Sequence, residues 1–204
     1  MSRIEDAPPK VAALILAAGL SRRMGARNKL LEEVDGKAMI VSVVDALLAS
    51  RARPVIVVLG HEAGRVRTAL EDHPVAFVDN PDFARGLSTS LRSGIEALPV
   101  DADAVVVCLG DMPRISPAHI DSLIDAFAPA DGRAICVPTV AGKRGNPVLW
   151  GRRFFDEMRT VEGDIGAREI IRRHADVVHA VAVDDEAILI DIDNPEDLAA
   201  ARKR

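Results

Sequence analysis

Residues 11–29 read VAALILAAGLSRRMGARNK. The stretch opens as an apolar run over residues 11–18 and breaks at Gly19. It then carries Arg22, Arg23, Arg27 and Lys29 with no acidic residue among them. An apolar run of that length ending at glycine predicts a strand buried on both faces, as in a parallel sheet. A basic loop at the carboxyl end of such a strand is where open α/β sheets hold anionic ligands. The stretch therefore predicts a polyphosphate cradle, and the remaining sequence must supply a metal site and an acceptor site.

Bulk properties set the limits around that loop. A chain of 204 residues suffices for one α/β domain that buries roughly 70% of its unfolded surface. The chain is 49% hydrophobic and 28% charged, an ordinary globular balance. A net charge of −5 argues against general binding to nucleic acid or membrane, so the basic loop is a local feature. Residues 1–10 read as a flexible lead-in without the apolar core of a signal peptide. No apolar run approaches the ~20 residues of a membrane span. A cytoplasmic location is the expectation. Cys108 and Cys136 each fall in an apolar run and are expected to be inert, buried thiols.

Outward from the loop, apolar spacing predicts helices over 38–50, 62–71 and from Leu87 through Leu98, with strands over 55–59, 75–78 and 104–109. The strand 104–109 is almost wholly apolar and β-branched, and so central. It runs into Gly110-Asp111-Met112-Pro113. Ser116-Pro117 opens the next helix with a cap and a proline at its first position. Further on, 134–138 reads as a strand, 140–146 as a polar loop and 147–150 as extended. Helices are expected over 152–159 and 167–174, short strands over 177–183 and 187–192, and a last helix from Pro195 to about Arg202. Regular strand–helix alternation predicts a three-layer αβα sandwich, a Rossmann-like, mainly parallel sheet spanning 1–204 as one domain. Residues 141–175 are less regular and are expected to form a subregion over the sheet's edge that serves the acceptor. His61, His73, His119 and His174 read as surface or loop residues.

Two phosphate-binding patterns fail. A P-loop needs Gly-x4-Gly followed at once by Lys, but Gly19 and Gly25 are one residue too far apart and Lys29 comes too late. The dinucleotide fingerprint Gly-x-Gly-x-x-Gly is also missing. What stands is Leu16-Ala17-Ala18-Gly19, then Ser21, Arg23-Met24-Gly25 and Lys29. This resembles the signature of the sugar-nucleotide and molybdenum-cofactor nucleotidyltransferases, best of all the molybdenum cofactor cytidylyltransferase (MobA-like) group. GLSTSLRSGI, GDMP, KRGNPV, GDIGAR and DIDNPED extend the resemblance in order along nearly the whole chain. One departure is Ala38, where many relatives have proline.

The resemblance implies that Leu16, Ala17, Ala18 and Gly19 wrap a triphosphate neutralised by Arg23 and Lys29, and that Asp111 of GDMP binds Mg²⁺, with Mn²⁺ as the alternative ion. Ala18 favours CTP, since guanylyl members of the group carry glycine there. Arginine can fork onto two phosphate oxygens, whereas lysine acts as a point charge. A hard cation takes one or two carboxylates plus phosphate oxygens. Asp193 or Asp191 is the second candidate ligand; the rival reading makes Asp193 or Asn194 a helix cap. Gly110, Gly86, Ser88 and Ser90 are candidate nucleotide contacts, the last three at a helix N-terminus, where Ser88 is alternatively a simple cap. Asn80 is placed to read a base edge or to hold a turn. Arg144, Asn146, Asp164 and Arg168 are candidate contacts to a phosphorylated pterin acceptor. The reaction implied is CMP transfer from CTP to molybdenum-bearing molybdopterin, with handover of the product to a molybdenum hydroxylase or its chaperone. The rivals are guanylyl transfer from GTP, transfer to another small phosphate, and a non-catalytic cofactor-binding chaperone.

Overall fold

The computed structural model describes residues 8–25, 27–163 and 166–203; most of the 1–10 lead-in and Asp164 lie outside them. β1 (Val11–Ala17) is buried at all seven positions. A small hairpin, β2 (Glu33–Val34) and β3 (Lys37–Ala38), leads into helix α1 (Met39–Ala49). Next come β4 (Val55–Leu59), α2 (Ala63–Ala69), β5 (Ala76–Asp79), α3 (Leu87–Glu96), β6 (Ala104–Leu109) and α4 (Pro117–Ala126). The second half supplies β7 (Ile135–Val140), β8 (Lys143–Arg144), β9 (Val148–Gly151), α5 (Phe155–Thr160), α6 (Gly166–Arg173), β10 (Val178–Ala182) and α7 (Pro195–Ala201).

The main sheet runs β10-β7-β9-β6-β1-β4-β5, with β8 paired to β7. β1 is parallel to both β4 and β6, and β9 runs antiparallel between β6 and β7. The chain moves outward from β1 through β4 to β5, then returns to lay β6 on the other side of β1. That reversal opens a crevice at the carboxyl ends of β1 and β6, the place where open α/β sheets bind ligands.

Period-two alternation along β1 divides the core. Val11, Ala13, Ile15 and Ala17 pack with α1, α2 and α4 residues such as Val43, Leu47, Val66 and Ile120. Ala12, Leu14 and Leu16 pack on the opposite face with α3, α5 and α6 residues such as Leu91, Ile95, Met158 and Ile170. A mainly parallel sheet covered by helices on both faces results, as expected from the alternation. A third cluster joins Met24, Val34, Met39, Ile192, Leu198 and Ala201, fastening the C-terminal segment to the loop after β1. Both thiols are buried; burial pushes Cys108 well above the ordinary thiol range and Cys136 up to about 11.

Three local expectations are corrected. Residues 187–192 are not a strand: Glu186–Leu189 form a 3₁₀ turn because the Asp185 side chain accepts the Ala187 N–H, capping it. Residues 147–150 do not sit over the sheet's edge; β9 is inserted within the sheet and buried at every position, a placement that four residues of period-two pattern cannot specify. His119 is neither surface nor loop but a buried member of the capping box that opens α4, pairing with Ser116. Among the described residues no helix is long and apolar enough to cross a membrane.

Candidate active site

Beyond β1 the chain makes a compact basic loop. Ser21 stands in the left-handed region (φ 51°) before the 3₁₀ turn Arg22–Met24. Its hydroxyl accepts the Lys29 N–H at 3.2 Å, which ties the two ends of the loop together. Buried Asn28 caps the next 3₁₀ turn by accepting the Leu30 N–H. Met24 sinks into the small cluster beside Ile192. The buried methionine and isoleucine thus hold their neighbours Arg23 and Asp193 at one surface.

That surface is a charged cluster. Lys29 Nζ lies 2.5 Å from Asp111 Oδ2 and 2.7 Å from Asp193 Oδ1, with the Lys29 and Asp111 side chains only 14% and 13% exposed. Arg23 reaches Asp193 Oδ2 at 3.0 Å while remaining largely exposed. Burial opposes the charge on Lys29, but Asp111 and Asp193 outweigh it and hold the ammonium above its usual pKa. Burial raises the Asp111 carboxyl, with Asp191 adding to the effect and Lys29 only partly offsetting it. Asp193 is more open, and the hydrogen bond from Lys29 holds its carboxyl below the usual range.

The same cluster tests for a cation. Asp111 Oδ1 is buried and has no hydrogen-bond partner among the described residues. An orphaned carboxylate oxygen beside a second carboxylate, Asp193, is a hard donor set with free lone pairs, which fits Mg²⁺ or Mn²⁺. No group of three or more His, Cys, Asp or Glu ligands forms among the described residues, in keeping with an ion that takes its other ligands from phosphate and water. Asp191 is exposed and lies outside the cleft lining.

Around the cluster opens a cleft of about 450 Å³, lined among others by Leu16, Ala18, Gly19, Ser21, Arg23, Lys29, Gly86, Ser90, Asp111 and Asp193. Gly86 opens α3 at φ 120°, a conformation that side chains rarely adopt, so the helix start can face the cleft. Ala17 points into the opposite core. Gly110 is packed against Ile40, Leu30 and the Leu16 carbonyl, which makes it the pivot from β6 to Asp111. Asn80 and Ser88 lie outside this cleft and line a neighbouring one of about 670 Å³. Asn80 is buried. Its amide donates to Thr89 Oγ1 at 2.9 Å and Ser90 Oγ at 3.0 Å, and its Oδ1 accepts the Asp82 N–H. Arg27 stays on the loop's outer face, 3.7 Å from Glu32 and largely exposed.

A third space, of about 220 Å³, shares Leu16, Leu87 and Leu109 with the cleft. Val107, Val148, Trp150 and Val161 give it an apolar wall, and Asn146 and Arg168 meet there with Ser88. Two of the four acceptor candidates are therefore brought together next to the cleft. Arg144 is exposed on β8 and lines none of these spaces. Sequence reasoning passed over Phe83, Ala84 and Arg85, which also line the cleft. The one available signal was an aromatic shortly after Asn80-Pro81, in a chain with few aromatics.

Comparison with known proteins identifies the family. The model of the MobA-like NTP transferase domain matches residues 13–177. Nicotine blue oxidoreductase of Paenarthrobacter nicotinovorans is 27% identical over 93% of this chain and 95% of its own. Molybdenum cofactor cytidylyltransferase of Escherichia coli is 26% identical over 95% and 96%. Bifunctional protein GlmU of Sorangium cellulosum is 31% identical over 83% of this chain, which spans only 35% of that longer protein. Among solved structures, Rv0371c of Mycobacterium tuberculosis superposes with a TM-score of 0.85 at 26% identity, over 97% of this chain and 100% of that one; it has also been solved in complex with manganese. The chain belongs to the MobA-like NTP transferase family and is a nucleotidyltransferase.

Proposed function

We propose that the protein is a Mg²⁺-dependent cytidylyltransferase that moves CMP from CTP to a terminal phosphate of molybdenum-bearing molybdopterin, releasing pyrophosphate. The reading rests chiefly on one observation: Lys29 lies between the Asp111 and Asp193 carboxylates at the crevice between β1 and β6. A nucleoside triphosphate brings about four negative charges, and phosphoryl-type transfer depends on positioning and preorganised cations. Exposed Arg23 swings from Asp193 to fork onto phosphate oxygens, and Lys29 holds a charge close to the same oxygens. Asp111 and Asp193 are the residues that hold the cation, which when bound neutralises charge on the triphosphate. An oxygen of the acceptor phosphate, already ionised at neutral pH, attacks the α-phosphorus; the bond to the bridging oxygen breaks, and pyrophosphate leaves. No general base is required of the chain.

We assign the acceptor to the adjoining apolar cavity, whose lining offers Asn146 and Arg168 as polar partners and Val148 and Trp150 as an apolar wall for a flat heterocycle. Asp164, outside the described residues, and exposed Arg144 remain candidates for the acceptor's outer end. Buried Ala18, at the head of the cleft, favours CTP over GTP. We place the enzyme in the cytoplasm, handing its product to a molybdenum hydroxylase or its chaperone. The test is pyrophosphate release with each of the four nucleoside triphosphates and a phosphorylated pterin. Release with CTP is expected. Release with GTP alone makes the protein a guanylyltransferase. Tight pterin binding without release from any nucleotide makes it a carrier, and a redox reaction in place of release aligns it with its oxidoreductase relative.

A further inference from the structure

The carboxylate Asp193 belongs to no strand or helix; it stands between the 3₁₀ turn Glu186–Leu189 and α7. A charged group on such a segment keeps its place only if the backbone is fixed from elsewhere. Beyond Asp193 the cap of α7 supplies one fixing, with Asp197 Oδ2 accepting the Asp193 and Asn194 N–H groups at 3.1 and 3.2 Å; three more lie along the segment before it, two of them remote from the cleft.

The first is at the segment's start. His119 is buried in the opening turn of α4. Its Nδ1 accepts the Ser116 N–H at 3.1 Å, which leaves the proton on Nε2. Nε2 donates to Asp185 Oδ2 at 2.9 Å, while Asp185 Oδ1 accepts the Ala187 N–H at 2.7 Å. The second is at the buried middle residue, Ile188, whose carbonyl accepts the Asn146 N–H at 2.9 Å. Next to it Gly145 approaches so closely that a Cβ would stand 2.3 Å from the Ile188 oxygen and 2.8 Å from its carbonyl carbon. Backbone cannot yield there as a side-chain tip could. The third is at the far end, where the Ile192 N–H donates to the Asp111 carbonyl at 3.1 Å, one residue before Asp193.

We infer that Gly145 and the His119–Asp185 pair are positioning residues for Asp193: the bare backbone at Gly145 sets the height of the 185–193 segment, and the imidazole anchors its start. Because Asn146 also lines the acceptor cavity, the 145–146 peptide mechanically joins that cavity to the carboxylate cluster. This rests on the reading of Asp111 and Asp193 as the cation's carboxylates, although the mechanical part does not.

Two variants test it, Gly145→Ala and Asp185→Ala; the second removes a side chain that is itself exposed and unpairs Nε2 of buried His119. Amide hydrogen exchange at Ile192 and Asp193 is expected to speed up in both, with β1 core amides unchanged. Mn²⁺ binding in the presence of CTP, followed by the ion's electron paramagnetic resonance, is expected to weaken on the order of ten- to hundredfold, as when supports behind a metal ligand are removed. Wild-type exchange at Ile192 and Asp193 in both variants would overturn the inference. So would uniform acceleration that includes β1, since that signals general destabilisation. If wild-type protein with CTP takes up no Mn²⁺, the cytidylyltransferase reading fails, and the exchange result alone decides the positioning role.

Discussion

Lys29 stands between two carboxylates and offsets their mutual repulsion, so its removal acts on them as well as on the nucleotide. Lys29→Ala takes away the charge facing the triphosphate and leaves Asp111 and Asp193 to repel one another. Loss of a preorganised cation of this kind is expected to lower kcat/KM by on the order of 10²-fold or more, about 3 kcal/mol of transition-state stabilisation; steady-state kinetics checks it, and near-wild-type turnover would remove Lys29 from the site. Asp111 makes a different prediction. Its carboxyl is raised because burial disfavours the ionised form more than Lys29 favours it. By linkage, a raised folded-state pKa stabilises the fold below the unfolded carboxylate range, and that stability is lost as pH rises through the folded value. Asp111→Asn is therefore expected to raise the melting temperature at neutral pH in chelator, and the gain should vanish in strong acid, where both forms are neutral. A less stable variant at neutral pH would show that the Lys29 pairing outweighs burial. Residue types and spacing marked the basic loop and the carboxylates after it, and the family resemblance singled out Lys29, Arg23, Asp111 and the pair Asp191 and Asp193 among them. The preference for Asp193 over Asp191 beside Lys29 was not legible there, because it follows from where buried Ile192 turns the chain.

At the scale of elements, α3 carries the mouth of the cleft, and Asn80 ties its first turn to the end of β5. The Asn80 amide bridges the end of β5 to Thr89 and Ser90 and holds the Asp82 N–H. Asn80→Ala leaves several of these partners unsatisfied in a buried place, so a loss of about 1–3 kcal/mol in stability is expected, measured by urea denaturation without ligand. Unchanged stability together with lost nucleotide discrimination would instead assign Asn80 to the base. The long periodic elements could be read from the chain: β4 and β6 fall where their apolar runs lie, and Ser116-Pro117 opens α4. Short elements could not. β9 resembles any extended linker until its two neighbours in the sheet are known, and the 3₁₀ turn after Asp185 is set by one side-chain cap against an apolar run that reads as a strand.

For the whole molecule, the order β5-β4-β1-β6 fixes where chemistry can occur, because the reversal at β1 leaves one crevice flanked by β1 and β6. The later half then adds an apolar cavity beside the crevice, and the C-terminal segment brings Asp193 back against the loop after β1. The layered fold could be inferred from strand–helix alternation. The closure of the site by residues more than 160 positions apart in sequence, Lys29 and Asp193, could not be inferred from spacing alone and came from the family resemblance. The most direct measurement is pyrophosphate release from CTP with Mg²⁺ and a phosphorylated pterin, comparing wild type with Asp111→Asn. The expected result is release by wild type in step with CMP transfer, and a fall on the order of 10²-fold or more in the folded variant. Release by Asp111→Asn at the wild-type rate, or none from any nucleoside triphosphate by folded wild-type protein, would contradict it.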